Sequence, residues 1–221
     1  MIDLAPQLSL LEARAQALEV HGLRVAALRI NVWLELCGHS ALRSDLRWLR
    51  LSAREARDLE VLEKRAWVKI SAAELEHARS TLSAALASAR FSGLLRALAS
   101  LPPLEPRRAQ RALPRMLTRL RRAADAALKA PNDEAARHRL RRRARRLRYA
   151  CEWLGRPANE WIAIQEELGR SNDAAVALER ARRQHVGDAT LLAALTQEAR
   201  GTPVRLRELW EQVERSLEEE A

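Results

Sequence analysis

The chain has 221 residues, of which 48% are hydrophobic and 31% charged, a globular composition that excludes a disordered chain. Basic residues outnumber acidic ones 39 to 29, for a net charge of +10, and all but three (Lys64, Lys69 and Lys129) of the basic residues are arginines. No apolar run reaches the roughly 18 residues of a membrane span. The N-terminus also lacks the basic region and cleavage site of a signal peptide, so a cytoplasmic protein without a membrane partner is expected.

Glycine and proline are scarce, and Ala, Leu, Arg and Glu dominate, so helix is favoured nearly everywhere. Alternating runs rich in Val, Ile and Thr are missing, and the predicted fold class is all-α. A first helix is predicted over 8–36, with Gly38 as its stop. Ser40 can cap a second, reaching Ile70. Ser71 and Glu74 form a capping box for a third, which runs to Ser100 with a break near Ser92 and Gly93. Residues 102–106 (Pro-Pro-Leu-Glu-Pro) are the strongest helix-breaking stretch and are read as a linker between halves 1–101 and 104–221.

A fifth helix is predicted over 107–129, kinked or started late by Pro114. Asn132 caps a sixth that stops at Gly155. Pro157 opens a seventh, to Gln184, with a break at Gly169. A last stretch starts at Asp188, is interrupted at Gly201 and restarts at Thr202 and Pro203. Glu218, Glu219 and Glu220 read as a solvated tail. Cys37 and Cys151 fall on apolar faces and are expected in the core as reduced thiols.

The halves repeat. Setting 20–38 against 137–155 matches His21 with His138, Leu23 with Leu140, Arg24 with Arg141 and Ala27 with Ala144. Arg29 then falls on Arg146, Glu35 on Glu152 and Gly38 on Gly155. Downstream, Asp58 and Val61 match Asp173 and Val176. Two related helical units with pseudo-twofold symmetry are expected.

The second copy is the more basic. Residues 137–148 hold eight arginines. With His138 at zero on a helical wheel, Arg141, Arg142, Arg145, Arg146 and Arg148 fall within about 80° on either side. Leu140, Leu147, Cys151 and Leu154 fall opposite. Like charges at these spacings repel, so such a face either lies in open solvent or holds an anion. Two further stripes share the pattern: Arg43, Arg47, Arg50, Arg54 and Arg57 on the second helix, and Arg108, Arg111, Arg115, Arg119 and Arg122 on the fifth. Either stripe alone is also what a solvated helix face looks like. Arginine grips phosphate with two parallel hydrogen bonds, so convergent stripes would make a trough for a multivalent anion. The first copy is thinner. His21, Arg24 and Arg29 persist, but Leu28 and Asn31 stand where the second copy has Arg145 and Arg148, and binding weighted to the C-terminal half is expected.

A histidine at a core edge is usually structural. Two at matched positions, each three residues before an arginine, also suit contact with an anion. His39, His77 and His185 have no such context. No P-loop, metal-spaced cluster or nucleophile motif is present, so no catalytic residue, metal or cofactor is expected. Glu74, Glu76 and His77 read as a solvated face. Nucleic acid is the alternative polyanion, but one Phe, one Tyr and six scattered Trp offer few stacking platforms.

The segments His21-Gly-Leu-Arg24-Val25 and His138-Arg-Leu-Arg141, with Arg145-Arg146-Leu147-Arg148-Tyr149, resemble the two signatures of the CHAD domain, the conserved histidine α-helical domain. Ala56-Arg57-Asp58 with Val61, and residues 165–175 from Gln165 through Asn172 and Asp173, resemble the segments that follow each signature. The resemblance runs from about Leu8 to the last helix. It implies one domain over 1–221, built of two four-helix units around a basic groove that binds inorganic polyphosphate, with association at polyphosphate granules. The motif positions it carries over are His21, Arg24, Arg29, His138, Arg141, Arg145, Arg146 and Arg148. Members fused to a triphosphate-tunnel enzyme carry a strand-rich domain that this chain has no room for.

Overall fold

A computed structural model describes residues 1–65, 69–184, 189–200 and 203–219. The predicted starts and breaks at Asp188, Gly201 and Thr202, together with His185 and Glu220, lie outside the described residues. Every regular element described is a helix, and the one extended pairing is an isolated antiparallel bridge in which Ile2 and Leu104 exchange both backbone hydrogen bonds at 2.9 Å.

The chain divides into two compact units, Met1–Ala112 and Leu113–Ala221. The first holds α1 (Ala5–Gln16), α2 (Val20–Cys37), α3 (Arg43–Ser52), α4 (Arg54–Arg65), α5 (Ala72–Leu86), α6 (Ala89–Ala99) and α7 (Pro106–Gln110). The second holds α8 (Leu113–Lys129), α9 (Glu134–Trp153), α10 (Asn159–Gln184), α11 (Ala189–Arg200) and α12 (Pro203–Glu219).

The described helices thus number seven and five where four and four were expected, and the surplus comes from breaks that composition hid. Predicted helix 8–36 is cut at Leu18, which takes a left-handed φ of 48°. The Leu18 N–H donates to the Ala15 carbonyl at 3.2 Å and the Glu19 N–H to Arg14 at 3.0 Å, a Schellman termination without glycine. An Arg14–Glu19 ion pair closes over the break. Gly38 stops α2 the same way, with φ 71° and bonds back to Glu35 and Leu34. Ser40 does not cap: α3 starts at Arg43, preceded by Leu42 without a side-chain cap. The second predicted helix breaks again at Ala53, and α4 ends at Arg65, short of Ile70. The Ser71–Glu74 capping box forms as predicted. The following break falls at Ser88, which caps α6, and Gly93 lies inside that helix.

Residues 102–106 break the helix but stay with the first unit, held there by the Ile2–Leu104 exchange. The predicted fifth helix is two, because Pro114 lacks an N–H and sits in the first turn of α8. Gly169 lies inside α10, which runs unbroken. α12 continues through Glu218 and Glu219, where a tail was expected.

The core of the first unit is α2. It buries Leu23, Ala27, Ile30, Trp33, Leu34 and their neighbours and packs on α1, α3 and α7. In the second unit α9 lies between α8 and α10, and α10 carries α11 and α12. Both cysteines are buried and unpaired. Burial pushes the Cys37 thiol up to about 11, against the opposing pull of Arg108. No described helix is long and apolar enough to cross a membrane.

Candidate anion-binding site

Helix α9 is capped by Asp133, one residue after the predicted cap, whose carboxylate accepts from the Ala136 N–H at 3.0 Å. The same carboxylate is 3.5 Å from Arg139. Asp133→Ala should cost about 1 kcal/mol of stability by urea unfolding; a change below a few tenths would mean that the cap does not anchor the helix.

Of the predicted apolar back of α9, Leu140, Leu147 and Cys151 are buried, joined by Ala136 and Ala144, while Leu154, the residue that caps the helix, is half-buried. On the front, His138 and Arg142 are exposed, while Arg141, Arg145, Arg146 and Arg148 are half-buried. Residues 169–173 of α10 border part of this front, beside His138, Arg141 and Arg145. Arg137 Nη1 donates to Ser171 Oγ at 3.1 Å and also to the Arg200 carbonyl. Ser171 Oγ in turn donates to the Ala199 carbonyl at 2.6 Å. A Cβ on Gly169 would stand 3.8 Å from Arg141 Nη2, so glycine leaves the guanidinium room to pass.

Charge is balanced sparingly along this face. Arg148 Nε donates to Glu152 Oε1 at 2.7 Å, one turn on, and its guanidinium lies 5.6 Å from the Tyr149 ring centre. Burial draws Arg145 below the ordinary guanidinium value, opposed by Tyr149 and Asp173 and reinforced by Arg148. His138 is held below the ordinary imidazole value, first by partial loss of water around the ring and then by Arg142, with Arg141 and Arg145 adding. A hydrogen bond to the Asn172 side chain opposes that shift. Around neutral pH this imidazole is therefore uncharged among cations.

The two arginine stripes do not survive as single faces. Arg43, Arg47 and Arg50 are on α3 and Arg54 and Arg57 on α4, separated at Ala53. Arg108 is on α7 and Arg111 caps its C-terminus, both in the first unit, whereas Arg115, Arg119 and Arg122 are on α8 in the second. Pro114 and the Ala53 turn are the physical reasons. Several stripe residues have partners. Arg54 pairs with Asp58 at 3.4 Å and Arg57 with Glu60 at 3.9 Å. Arg47, Arg108, Arg111, Arg115, Arg122 and Arg142 are exposed and make no ion pair among the described residues.

In the first copy His21 is exposed, Arg29 is half-buried, and Arg24 donates to the Arg50 carbonyl of α3. Asn31 is 4% exposed and accepts from Arg43 Nε at 3.3 Å. Asn172 and Asp173 belong to the segment whose resemblance the sequence shows, but sequence reasoning gave neither them nor Arg137 and Ser171 a place at the site. The signal was a Ser-Asn-Asp run, three indifferent helix formers, in the middle of a long helix.

Within the second unit a recess beside Arg137, Glu167, Ser171 and Arg200 has about 10 Å³ of free space, roughly one water molecule. The recess is too small for a phosphate group. Among the described residues no three His, Cys, Asp or Glu side chains gather as a metal site.

A family model described as CHAD domain matches residues 6–182. No curated protein sequence matches the chain. Among solved structures, the CHAD domain from the plant Ricinus communis is similar at 24% identity and a TM-score of 0.69, covering 89% of this chain and 82% of that one. PptA from Streptomyces chartreusis is similar at 21% identity and a TM-score of 0.69, covering 94% of this chain and 96% of its own. At these identities the two structures speak for the fold.

Proposed function

The chain belongs to the CHAD domain family, and from that premise we propose that it binds inorganic polyphosphate, as a binding module and not an enzyme, and is thereby held at polyphosphate granules in the cytoplasm. The observation that carries the reading is the front of α9. Five arginines and a histidine share one side of a helix whose other side is core. From His138 to Arg148 the helix rises about 15 Å, so a linear polyanion lying along it meets several guanidiniums at once. Each contact releases condensed counterions, so affinity comes from the number of contacts and weakens with salt. Arginine stays protonated throughout and supplies grip, not proton transfer.

The aromatic residues weigh against nucleic acid as ligand. Among the described aromatic residues, Trp33, Trp161, Trp210, Tyr149 and Phe91 are buried, which leaves Trp48 and Trp153, both half-buried, as stacking platforms, and Arg90 already covers the Trp48 ring at 4.5 Å.

A titration with long-chain inorganic polyphosphate tests the proposal. With six or more contacts, affinity should fall on the order of 10³-fold between about 50 and 200 mM salt. It should also rise as pH is lowered from about 7.5 toward 5.5. The sign follows from His138. Partial burial and then the surrounding arginines depress its proton affinity, a bound anion offsets the arginines' share, and so binding takes up a proton. His138→Gln should flatten that pH profile. Displacement of polyphosphate by nucleic acid at equal phosphate concentration, or phosphate release in the presence of a divalent metal, would sink the reading.

A further inference from the structure

The repeat leaves one chemical puzzle. Glu35 and Glu152 occupy the same place in the two copies, one turn before the glycine that ends each helix. Gly38 N–H bonds to the Glu35 carbonyl at 3.1 Å, and Gly155 N–H to that of Glu152 at 3.2 Å. Both glycines are left-handed, at φ 71° and 65°. In the second copy Glu152 holds Arg148, the residue four positions before it. In the first copy that position is Asn31, which can make no ion pair, yet the glutamate is still there.

Its partner comes from the next helix. Arg43 of α3 places Nη2 3.3 Å from Glu35 Oε2 and Nε 3.3 Å from Asn31 Oδ1. One guanidinium thus spans the glutamate and the residue that replaced the arginine. The two pairs are similarly placed with respect to solvent: the side chains are 32% and 12% exposed for Arg43 and Glu35, and 25% and 27% for Arg148 and Glu152. Asparagine suits position 31 for a definite reason. A buried apolar residue there would leave Arg43 Nε unmatched, and a buried amide without a donor would be costly.

We propose that Arg43 is the transposed counterpart of Arg148, so that the first unit presents a glutamate-held guanidinium to a phosphate chain from α3 where the second presents one from α9. This rests on the polyphosphate reading above and changes its balance, since of the five front arginines the first copy then lacks the counterparts of Arg142 and Arg145 alone, at Val25 and Leu28. The carboxylate is a positioning group in both units. It occupies Nε of Arg148, or Nε's neighbour Nη2 in Arg43, and leaves further N–H donors of the fork for the ligand.

Binding of long-chain inorganic polyphosphate to the full chain is measured over a salt series for wild type, Arg43→Ala, Arg148→Ala and the double variant Asn31→Arg/Arg43→Ala. Arg43→Ala and Arg148→Ala should each weaken binding about tenfold and lower the salt slope by about 0.7. The double variant, with the arginine returned to α2, should recover the wild-type slope. A residue that only supports the fold would lower the melting temperature and leave the slope alone. A folded Arg43→Ala protein with wild-type affinity and slope overturns the proposal, as does a folded double variant no better than Arg43→Ala. If Arg43→Ala does not fold, Arg43→Lys decides: it keeps the charge and loses the fork, so affinity should drop severalfold at an unchanged slope, and wild-type affinity there overturns the proposal. A wild-type protein that fails to bind polyphosphate at all refutes the underlying reading instead, which is a distinguishable result.

Discussion

Changing Arg141, Arg145 and Arg148 to alanine together should weaken binding of long-chain inorganic polyphosphate by about 10²- to 10³-fold near 0.1 M salt and reduce the salt slope by about 2. The three lie on the front of α9 and are all half-buried, so their guanidiniums are already partly stripped of water and ordered before an anion arrives. Contacts made by pre-ordered groups lose less to side-chain freezing than those of the exposed Arg142. The helix itself should survive. Alanine is the best helix former, and the change removes repulsion at i, i+3 and i+4. Two carboxylates are affected: Glu152 loses Arg148 at 2.7 Å, and Asp173 loses Arg145. Circular dichroism should show wild-type helix content. Wild-type affinity in that folded protein would remove the front of α9 from the site.

The largest effect on stability is expected at Trp33. Its side chain is completely buried in α2, and its Nε1 donates to the Ile2 carbonyl at 3.4 Å. Trp33→Ala opens a cavity in the centre of the first unit and should cost about 4 kcal/mol by urea unfolding. Set against a typical total of about 5–15 kcal/mol, that leaves the first unit marginal. A loss under about 1 kcal/mol would mean that the packing around α2 is not what holds the unit together.

Much of the fold was legible because helix punctuation is chemical. The Ser71–Glu74 box and the glycines at 38 and 155 stop or start helices through hydrogen bonds that their side chains, or the lack of one, permit. Leu18 could not be read this way. A leucine in a left-handed conformation is imposed by the packing of α1 on α2, and no local preference announces it. The break at Ala53 is of the same kind, and it dissolved a stripe that looked continuous on a wheel.

The candidate site divides similarly. The apolar back and cationic front of α9 follow from periodicity alone. The border that residues 169–173 of α10 make along that front does not, since it depends on how two helices pack. Asn31 is the sharpest case. Along the chain it reads as a missing arginine, and only the approach of α3 to α2 supplies Arg43 at its side. A helical wheel compares positions within one helix and has no means of seeing a substitution made from the next.

The Ile2–Leu104 bridge has a consequence for biosynthesis. The two residues are separated by about a hundred positions, and closing a loop of that length costs entropy that only the finished contacts repay. Its second half reaches solution after α1 to α6 have left the ribosome. At about 5–20 residues per second, α1 waits about 4–18 s for the clasp that pins Ile2, the same residue whose carbonyl receives Trp33, whereas α6 waits about a second or less. During that interval the nascent first unit gains its helices without its fastening, and it is then that a chaperone or protease would meet it.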